Sequence, residues 1–327
     1  MVPHVSACAW RRAYLRAGPP VTLAAMAAPI VVLAGGTGGA KLARGMLDVA
    51  GTDLVVIANT GDDVEIHGGH VSPDPDLVTF WLADRVDERG WGLRGDTFAV
   101  MEALRALGEE VWFNLGDQDL AVCLARARRL AEGATLTAAA DELRRAFGVP
   151  AQVLPMSDRP VRTRIKLRGA WSGLQEWLIR ESAAGPVEDV EFHGAGAAEP
   201  TPEVIEALAS ARAVIVGPSN PVISIGPILA LPGLRDALRE CPGPVIAVSP
   251  LVRGVSLKGP TDELLAWAGR PLSSDGIAAH YDGLLDGLVA DERSESLPTL
   301  ETDVEMPDAA ARRRVAQEAL DFALALA

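Results

Sequence analysis

Cysteine is scarce. Cys8, Cys123 and Cys241 are the whole complement in 327 residues. Their wide separation excludes a disulfide framework and any paired-cysteine metal motif, and it points to a reducing compartment, the cytoplasm. Histidine is thin too: of His4, His67, His70, His193 and His280 only His67 and His70 lie close, too few for a zinc site. Basic residues are outnumbered, 30 against 44 acidic, leaving a net charge of −14. That balance argues against nonspecific nucleic-acid binding and against an anionic membrane, so an anionic ligand must be held by local positive groups. Aromatics make up 5% of a chain that is 49% hydrophobic. The core is therefore aliphatic, as suits one large α/β domain. No apolar run is long enough to span a bilayer. No Cys–His or Ser–His pair at useful spacing and no G-x-S-x-G elbow is present, which removes the usual routes to covalent catalysis.

Residues 1–28 stand apart. Arg11, Arg12 and Arg16 precede the apolar stretch Val21 to Ala28, the outline of a signal peptide. A core strand follows at once, so the true start is expected at Met26 and the residues before it are read as a misassigned extension or a disordered tail. Residues 29–327 then form a single domain, with 150–200 as a smaller mixed subdomain marked by short strand-like pieces (Thr163 to Leu167, Val187 to His193) and by Trp171 and Trp177.

The rest of the chain is organised around Ile30 to Leu42, reading I-V-V-L-A-G-G-T-G-G-A-K-L. A buried parallel strand breaks into Gly35, Gly36, Thr37, Gly38 and Gly39 before a helix with Leu42, Met46 and Leu47 on one face. Strand, glycine loop and helix present backbone N–H groups to a phosphate, and the glycines permit close approach and positive φ. Lys41 adds a point charge. Neither G-x-G-x-x-G nor the Gly-Lys-Ser/Thr P-loop fits, because Lys41 stands at the third glycine's place and Leu42 follows it.

Further strands are read at Leu54–Ala58, Val111–Leu115, Ala213–Val216, Val245–Val248 and Gly287–Ala290, with helices between them. A helix over Ala309 to Ala327 is expected to pack on the outside. The alternation predicts a doubly wound, mostly parallel α/β sheet of the Rossmann-like kind. Nearly every strand ends in Gly, Asp, Ser or Asn, and those ends meet along one edge of the sheet, where ligands of such folds bind. Asp62, Asp63, Asp74, Asp76, Asp117 and Asp119 all fall in these loops or in the turn before the next helix. Carboxylates beside a phosphate loop would repel a bare phosphate. Mg²⁺ resolves the conflict, since it takes one or two carboxylates together with phosphate oxygens. The chemistry predicted is phosphoryl or nucleotidyl transfer.

Seven motifs in order carry a resemblance: G-G-T-G-G-A-K-L (35–42), N-T-G-D-D (59–63), S-P-D-P-D (72–76), L-G-D-Q-D (115–119), M-S-D-R-P-V-R-T (156–163), G-P-S-N-P-V-I-S-I-G-P-I-L (217–229) and V-S-P-L-V (248–252). The sequence resembles the 2-phospho-L-lactate transferases of deazaflavin coenzyme (F-420) biosynthesis across about residues 30 to 292. The resemblance implies a guanosine-diphosphate-linked donor of lactate or enolpyruvate. It implies as acceptor the ribityl hydroxyl of 7,8-didemethyl-8-hydroxy-5-deazariboflavin, with GMP leaving and Mg²⁺ balancing the charge. By motif match it implies Asp62 and Asp76 as metal-binding and catalytic groups, Asp76 and Asn114 near the acceptor, and Gly35, Gly36, Thr37, Gly38, Gly39, Lys41, Ser219 and Asn220 around the nucleotide. A homodimer is the family's expectation. Gln118 stands where the family often has Arg, Pro75 replaces an aliphatic residue, and Leu251-Val252-Arg253-Gly254 departs from the usual loop. A related group of similar fold binds nucleotide-sugars and regulates without catalysis. The first glycine loop cannot separate the two, but the S-P-D-P-D and M-S-D-R-P loops favour the transferase. A nicotinamide oxidoreductase is disfavoured by Asn59, where an acid should close the second strand.

Overall fold

The structure, a computed structural model, describes residues 28–281 and 283–327. The N-terminal extension and the start expected at Met26 lie outside these residues. Seven strands form one sheet in the order Thr299–Glu301, Gly287–Ala290, Val245–Val248, Ala213–Val216, Ile30–Ala34, Leu54–Ala58, Gln152–Pro155. Every neighbouring pair runs parallel. The central strands are continuous aliphatic runs, I-V-V-L-A and L-V-V-I-A, buried at every residue. Such runs have no polar alternation because both faces of the sheet are covered.

Ile30, Val32 and Ala34 face one layer, built on the helices Gly36–Ala50, Pro73–Leu82 and Ala309–Ala325. Val31 and Leu33 face the other, built on Pro202–Ala209, Leu234–Arg239 and Ser274–Tyr281. A doubly wound α/β sheet is therefore what the chain adopts. Among the described residues no helix is long and apolar enough to cross a membrane.

Four elements differ from the sequence reading. Val111–Leu115 is not a strand. Its apolar residues Phe113 and Leu115 pack with Met101, Leu120 and Cys123 in a satellite cluster beside Val71. A five-residue apolar run does not by itself distinguish a sheet strand from such a patch. The edge strands Gln152–Pro155 and Thr299–Glu301 were not anticipated. The second is only partly buried and offers no apolar run to read. The helix Ala309–Ala325 does not sit outside. It buries Val315, Ala316, Ala319, Leu320 and Ala323. It lies so close to the first helix that a Cβ on Gly45 would come 2.2 Å from the Arg312 carbonyl oxygen. Its buried stripe is mostly alanine, which makes the pattern faint.

A three-stranded antiparallel sheet, Ala170–Gly173, Arg162–Leu167 and Asp189–His193, is inserted after Gln152–Pro155. Its core of Ile165, Leu167, Leu174 and Trp177 continues into Val222, Ile223 and Leu264 of the main body.

Candidate active site

The strand Ile30–Ala34 pairs with Leu54–Ala58 on one side and with Ala213–Val216 on the other. The chain leaves the sheet in opposite directions there, and the loops at the two carboxyl ends part to form a crevice. Its lips are Gly35–Gly39 and Gly217–Asn220, joined where the Gly35 N–H donates to Ser219 Oγ at 3.2 Å. Between them lies a cleft of about 430 Å³ lined by Gly36, Thr37, Gly38, Lys41, Ser219 and Lys258. Burial, then repulsion from Lys258 and Arg312, lowers the pKa of Lys41. A more open hollow of about 650 Å³ adjoins it at Val252, but Asp291, Glu292, Glu301 and Asp303 line that space, which suits no phosphate.

The glycines serve close packing more than special dihedrals. Within the loop only Gly36 has positive φ, +59°. A Cβ on Gly35 would lie 2.6 Å from Ser224 Cβ, and one on Gly38 would lie 1.9 Å from the Pro218 carbonyl oxygen. One on Gly39 would lie 2.5 Å from Ser219 Oγ. The loop is glycine-rich because the first helix is pressed against the second lip.

Behind the loop lies a group of buried acids. Asn59 Nδ2 donates to Asp74 Oδ2 at 2.9 Å and, more weakly, to Asp62 Oδ1 at 3.5 Å. Asp74 Oδ1 also accepts from the Gly36 N–H. Asp74 thus takes the first amide of the helix Gly36–Ala50, the positive end of its dipole. Burial pushes the Asp74 carboxyl up to about 6 despite these two bonds. Asp62 is raised well above the usual carboxylate range, by burial first and then by Asp74 and Asp63. Asp63 is held separately, by Ser72 Oγ at 2.7 Å and His70 Nε2 at 2.9 Å.

Asp76 faces other partners. It forms an ion pair with Arg126, whose side chain is 2% exposed. Its second oxygen has no hydrogen-bond partner. Asp119 and Cys123 stand beside it, with one ligand atom from each of the three within 4.8 Å of the others. Burial, then the charges of Asp76 and Asp96, push Asp119 up to about 7. The structure therefore brings Asp62 together with Asp74, and Asp76 together with Arg126 and Asp119. Asp74 and Asp76 occupy positions i and i+2 in the first turn of Pro73–Leu82, and such positions do not face the same way.

Other expected site residues have structural work. The Asn220 side-chain Oδ1 accepts from Val222 N at 2.9 Å and Ile223 N at 3.0 Å, while Nδ2 donates to Thr261 Oγ1 at 3.2 Å. Asn114 is exposed on the irregular segment, with its Oδ1 accepting from Arg105 at 2.9 Å. Asp117 accepts from Ala99 N at 3.2 Å and Val100 N at 3.0 Å. Asp96 in turn accepts from Gln118 N at 2.8 Å and Asp119 N at 3.1 Å. Each of these two acids caps the other's helix. The sequence reading counts Asp74 among six clustered acids but not as a metal ligand, and it does not place Asn59, Lys258, Arg126 or Gln175 in the site; the Gln175 amide donates to Asp62 Oδ2 at 3.2 Å. The spacing Asp74-x-Asp76 after Pro73 at a helix start could have separated the two acids. Nothing local in the sequence marks Gln175 or Arg126.

The donor set suits a hard divalent cation. Asp62 and Asp74 offer carboxylate oxygens whose pKa values are raised by burial first and then by neighbouring acids, and Thr60 Oγ1 nearby in the chain is buried without a partner.

Two predictions arise here. Removing Arg126 leaves Asp76 buried without its cation, so Arg126→Leu should cost on the order of 3 kcal/mol. Urea denaturation checks this, and a loss below about 1 kcal/mol would mean that Asp76 finds another partner. The second concerns pH. A carboxyl that titrates near 7 when folded and near 4 when unfolded binds protons more tightly in the folded chain between those values. That contribution is complete below the unfolded pKa and is lost as pH rises through the folded one. The thermal midpoint of the metal-free protein should therefore fall by several degrees from pH 5 to pH 8, less so in Asp119→Asn. A midpoint rising over that range would contradict the assignment.

Comparison with known proteins agrees with the motifs. A family model described as 2-phospho-L-lactate transferase CofD matches residues 30–320. The 2-phospho-L-lactate transferase of Methanosarcina mazei is 36% identical, over 82% of this chain and 88% of its own length. The phosphoenolpyruvate transferase of Streptomyces griseus is 38% identical, over 87% of this chain and 96% of its own. A solved UPF0052-family protein of Bacillus halodurans, at 16% identity, shares the fold with a TM-score of 0.60, over 90% of this chain and 99% of that one. A phosphate-type crevice backed by buried acids, a matching family model and relatives aligned over most of their length lead to one conclusion: the chain belongs to the 2-phospho-L-lactate transferase family.

Proposed function

We propose that this protein transfers the 2-phospholactate or phosphoenolpyruvate group of a guanosine-diphosphate-linked donor to the ribityl hydroxyl of 7,8-didemethyl-8-hydroxy-5-deazariboflavin. The products are coenzyme F-420-0, or its dehydro form, and GMP. The observation that carries this reading is the pair of buried carboxylates, Asp62 and Asp74, meeting at Asn59 directly behind the glycine loop. Buried acids that close to a phosphate loop call for a cation. Asp62 and Asp74 would hold Mg²⁺ there, and the ion would offset the charge that develops as the hydroxyl attacks phosphorus and GMP departs.

The chain's own residues have distinct tasks in this scheme. Lys41 and Lys258 draw the diphosphate into the cleft, and Ser219 fixes the Gly35 amide at its edge. Asp62 and Asp74 would hold the metal. Asp76, with one unpartnered oxygen, is assigned to orient the acceptor hydroxyl, and the family resemblance assigns Asn114 to the acceptor as well. The assay supplies either donor with Mg²⁺ and the deazaflavin, follows GMP release and weighs the product. Turnover with one donor and not the other names the three-carbon acid. Nucleotide binding with no turnover on any donor would favour the non-catalytic regulatory module instead.

A further inference from the structure

The inserted three-stranded sheet touches the acid loop at two points. Thr163 N donates to the Gly61 carbonyl at 2.6 Å, which fixes the start of the strand Arg162–Leu167 against the residue before Asp62. Gln175 Nε2 donates to Asp62 Oδ2 at 3.2 Å from the far end of the same small sheet, just beyond Ala170–Gly173. The segment that carries Gln175 is rigidly held. Leu174 and Trp177 are buried in a core shared with Val222 and Ile223, which follow the second lip in sequence. The Glu176 carboxylate accepts from Gly173 N at 3.3 Å, closing the turn just before Gln175.

Asp62 Oδ2 has this amide as a near donor and Oδ1 has the long contact with Asn59, while the Asp62 backbone N–H and the charge of Arg162 also favour the carboxylate. A carboxylate so weakly tied can rotate about χ2, which is a soft torsion. Whichever donor fixes the plane of its oxygens decides where its free lone pairs point. A metal ligand needs such an orienting partner, and losing one typically weakens metal affinity 10- to 100-fold in known sites.

We propose that Gln175 is a positioning residue that sets the orientation of Asp62 toward the cation, so that the inserted sheet forms part of the active centre. The assignment rests on the reading of Asp62 as a metal ligand. Gln175 touches neither the diphosphate nor the acceptor in this scheme. It acts through Asp62 alone.

The test uses the full chain and Mn²⁺ as the probe, with binding measured by calorimetry in the absence of substrates. Gln175→Met preserves side-chain length but removes the donor, and Gln175→Ala removes both. Each should raise the Mn²⁺ Kd about tenfold, with the thermal midpoint of the metal-free protein within a degree or two of wild type. In turnover, the Mg²⁺ concentration for half-maximal rate should rise by a similar factor, with kcat recovered at saturating Mg²⁺. Gln175→Asn, which keeps an amide but shortens the reach, should fall between wild type and Gln175→Ala. A wild-type Mn²⁺ Kd in a folded Gln175→Met protein would overturn the assignment. If wild type itself binds no Mn²⁺, the metal reading falls and the Gln175 assignment is overturned with it. If either substitution lowers the midpoint substantially, Gln175→Asn decides between the outcomes. Loss of stability without a change in Kd marks a purely structural role and also overturns the proposal.

Discussion

Asp62→Asn is expected to lower kcat about a thousandfold while raising the thermal midpoint of the metal-free protein. The two effects have one origin. Asp62 is buried beside Asp74 and Asp63, and burial together with those charges raises its pKa well above the usual range. Without a cation the folded chain must either hold uncompensated charge or take up a proton. An amide of the same shape removes that cost, so stability should increase, as is common when a strained functional group is neutralised. The same change removes an anionic ligand from the metal. Loss of one preorganised electrostatic partner costs on the order of 10²- to 10³-fold in rate, and a ligand that also sets metal occupancy belongs at the upper end. Circular dichroism, a thermal melt with and without Mg²⁺, and the GMP-release assay check all parts together. Near wild-type turnover in the variant would remove Asp62 from the chemistry. A lower midpoint would mean that the carboxylate supports the fold instead.

Gly38→Val should destabilise the protein by more than about 4 kcal/mol, a loss that falls in the exceptional class of single substitutions. The cause is steric. The first branch atom would sit 1.9 Å from the Pro218 carbonyl oxygen, and that oxygen belongs to backbone, which cannot swing aside. Gly38 lies within the helix Gly36–Ala50, so relief requires the helix and the Gly217–Asn220 lip to separate. Nucleotide binding would be lost with them. Binding data on this variant alone therefore say nothing about contact between Gly38 and phosphate. Thr37→Val is the better probe, since Thr37 lines the cleft within the same loop. Refolding yield and urea midpoints decide the prediction, and a Gly38→Val protein as stable as wild type would show that the two lips are not in firm contact.

The sheet was legible because its middle is built of uninterrupted aliphatic runs that end in polar turns. Ile30–Ala34, Leu54–Ala58, Ala213–Val216, Val245–Val248 and Gly287–Ala290 all appear where the runs predict. Thr299–Glu301 was hidden because a partly buried edge strand needs no apolar signature, and Val111–Leu115 misled because a satellite patch needs one. The crevice was legible from strand ends alone. Which acids share it was not. Composition placed six aspartates near one edge, but Asp96 and Asp117 show how a run such as L-G-D-Q-D is drawn into capping helices. Asp74 and Asp76 diverge by helical rotation, and Arg126 reaches Asp76 from 50 positions away in a manner no local pattern announces.

Gly35 and Ser219 meet across 184 positions of sequence. A contact of that separation requires closing a very long loop, and chains rich in such pairings fold slowly because the entropy is lost before the contact rewards it. The helices and hairpins of the first half can form from neighbours in sequence, but the crevice cannot exist until the strand Ala213–Val216 has docked beside Ile30–Ala34. In a refolding experiment, nucleotide-binding competence should therefore lag behind the recovery of helical signal. The half-built chain, with its central aliphatic strand open along one edge, is the species most exposed to self-association.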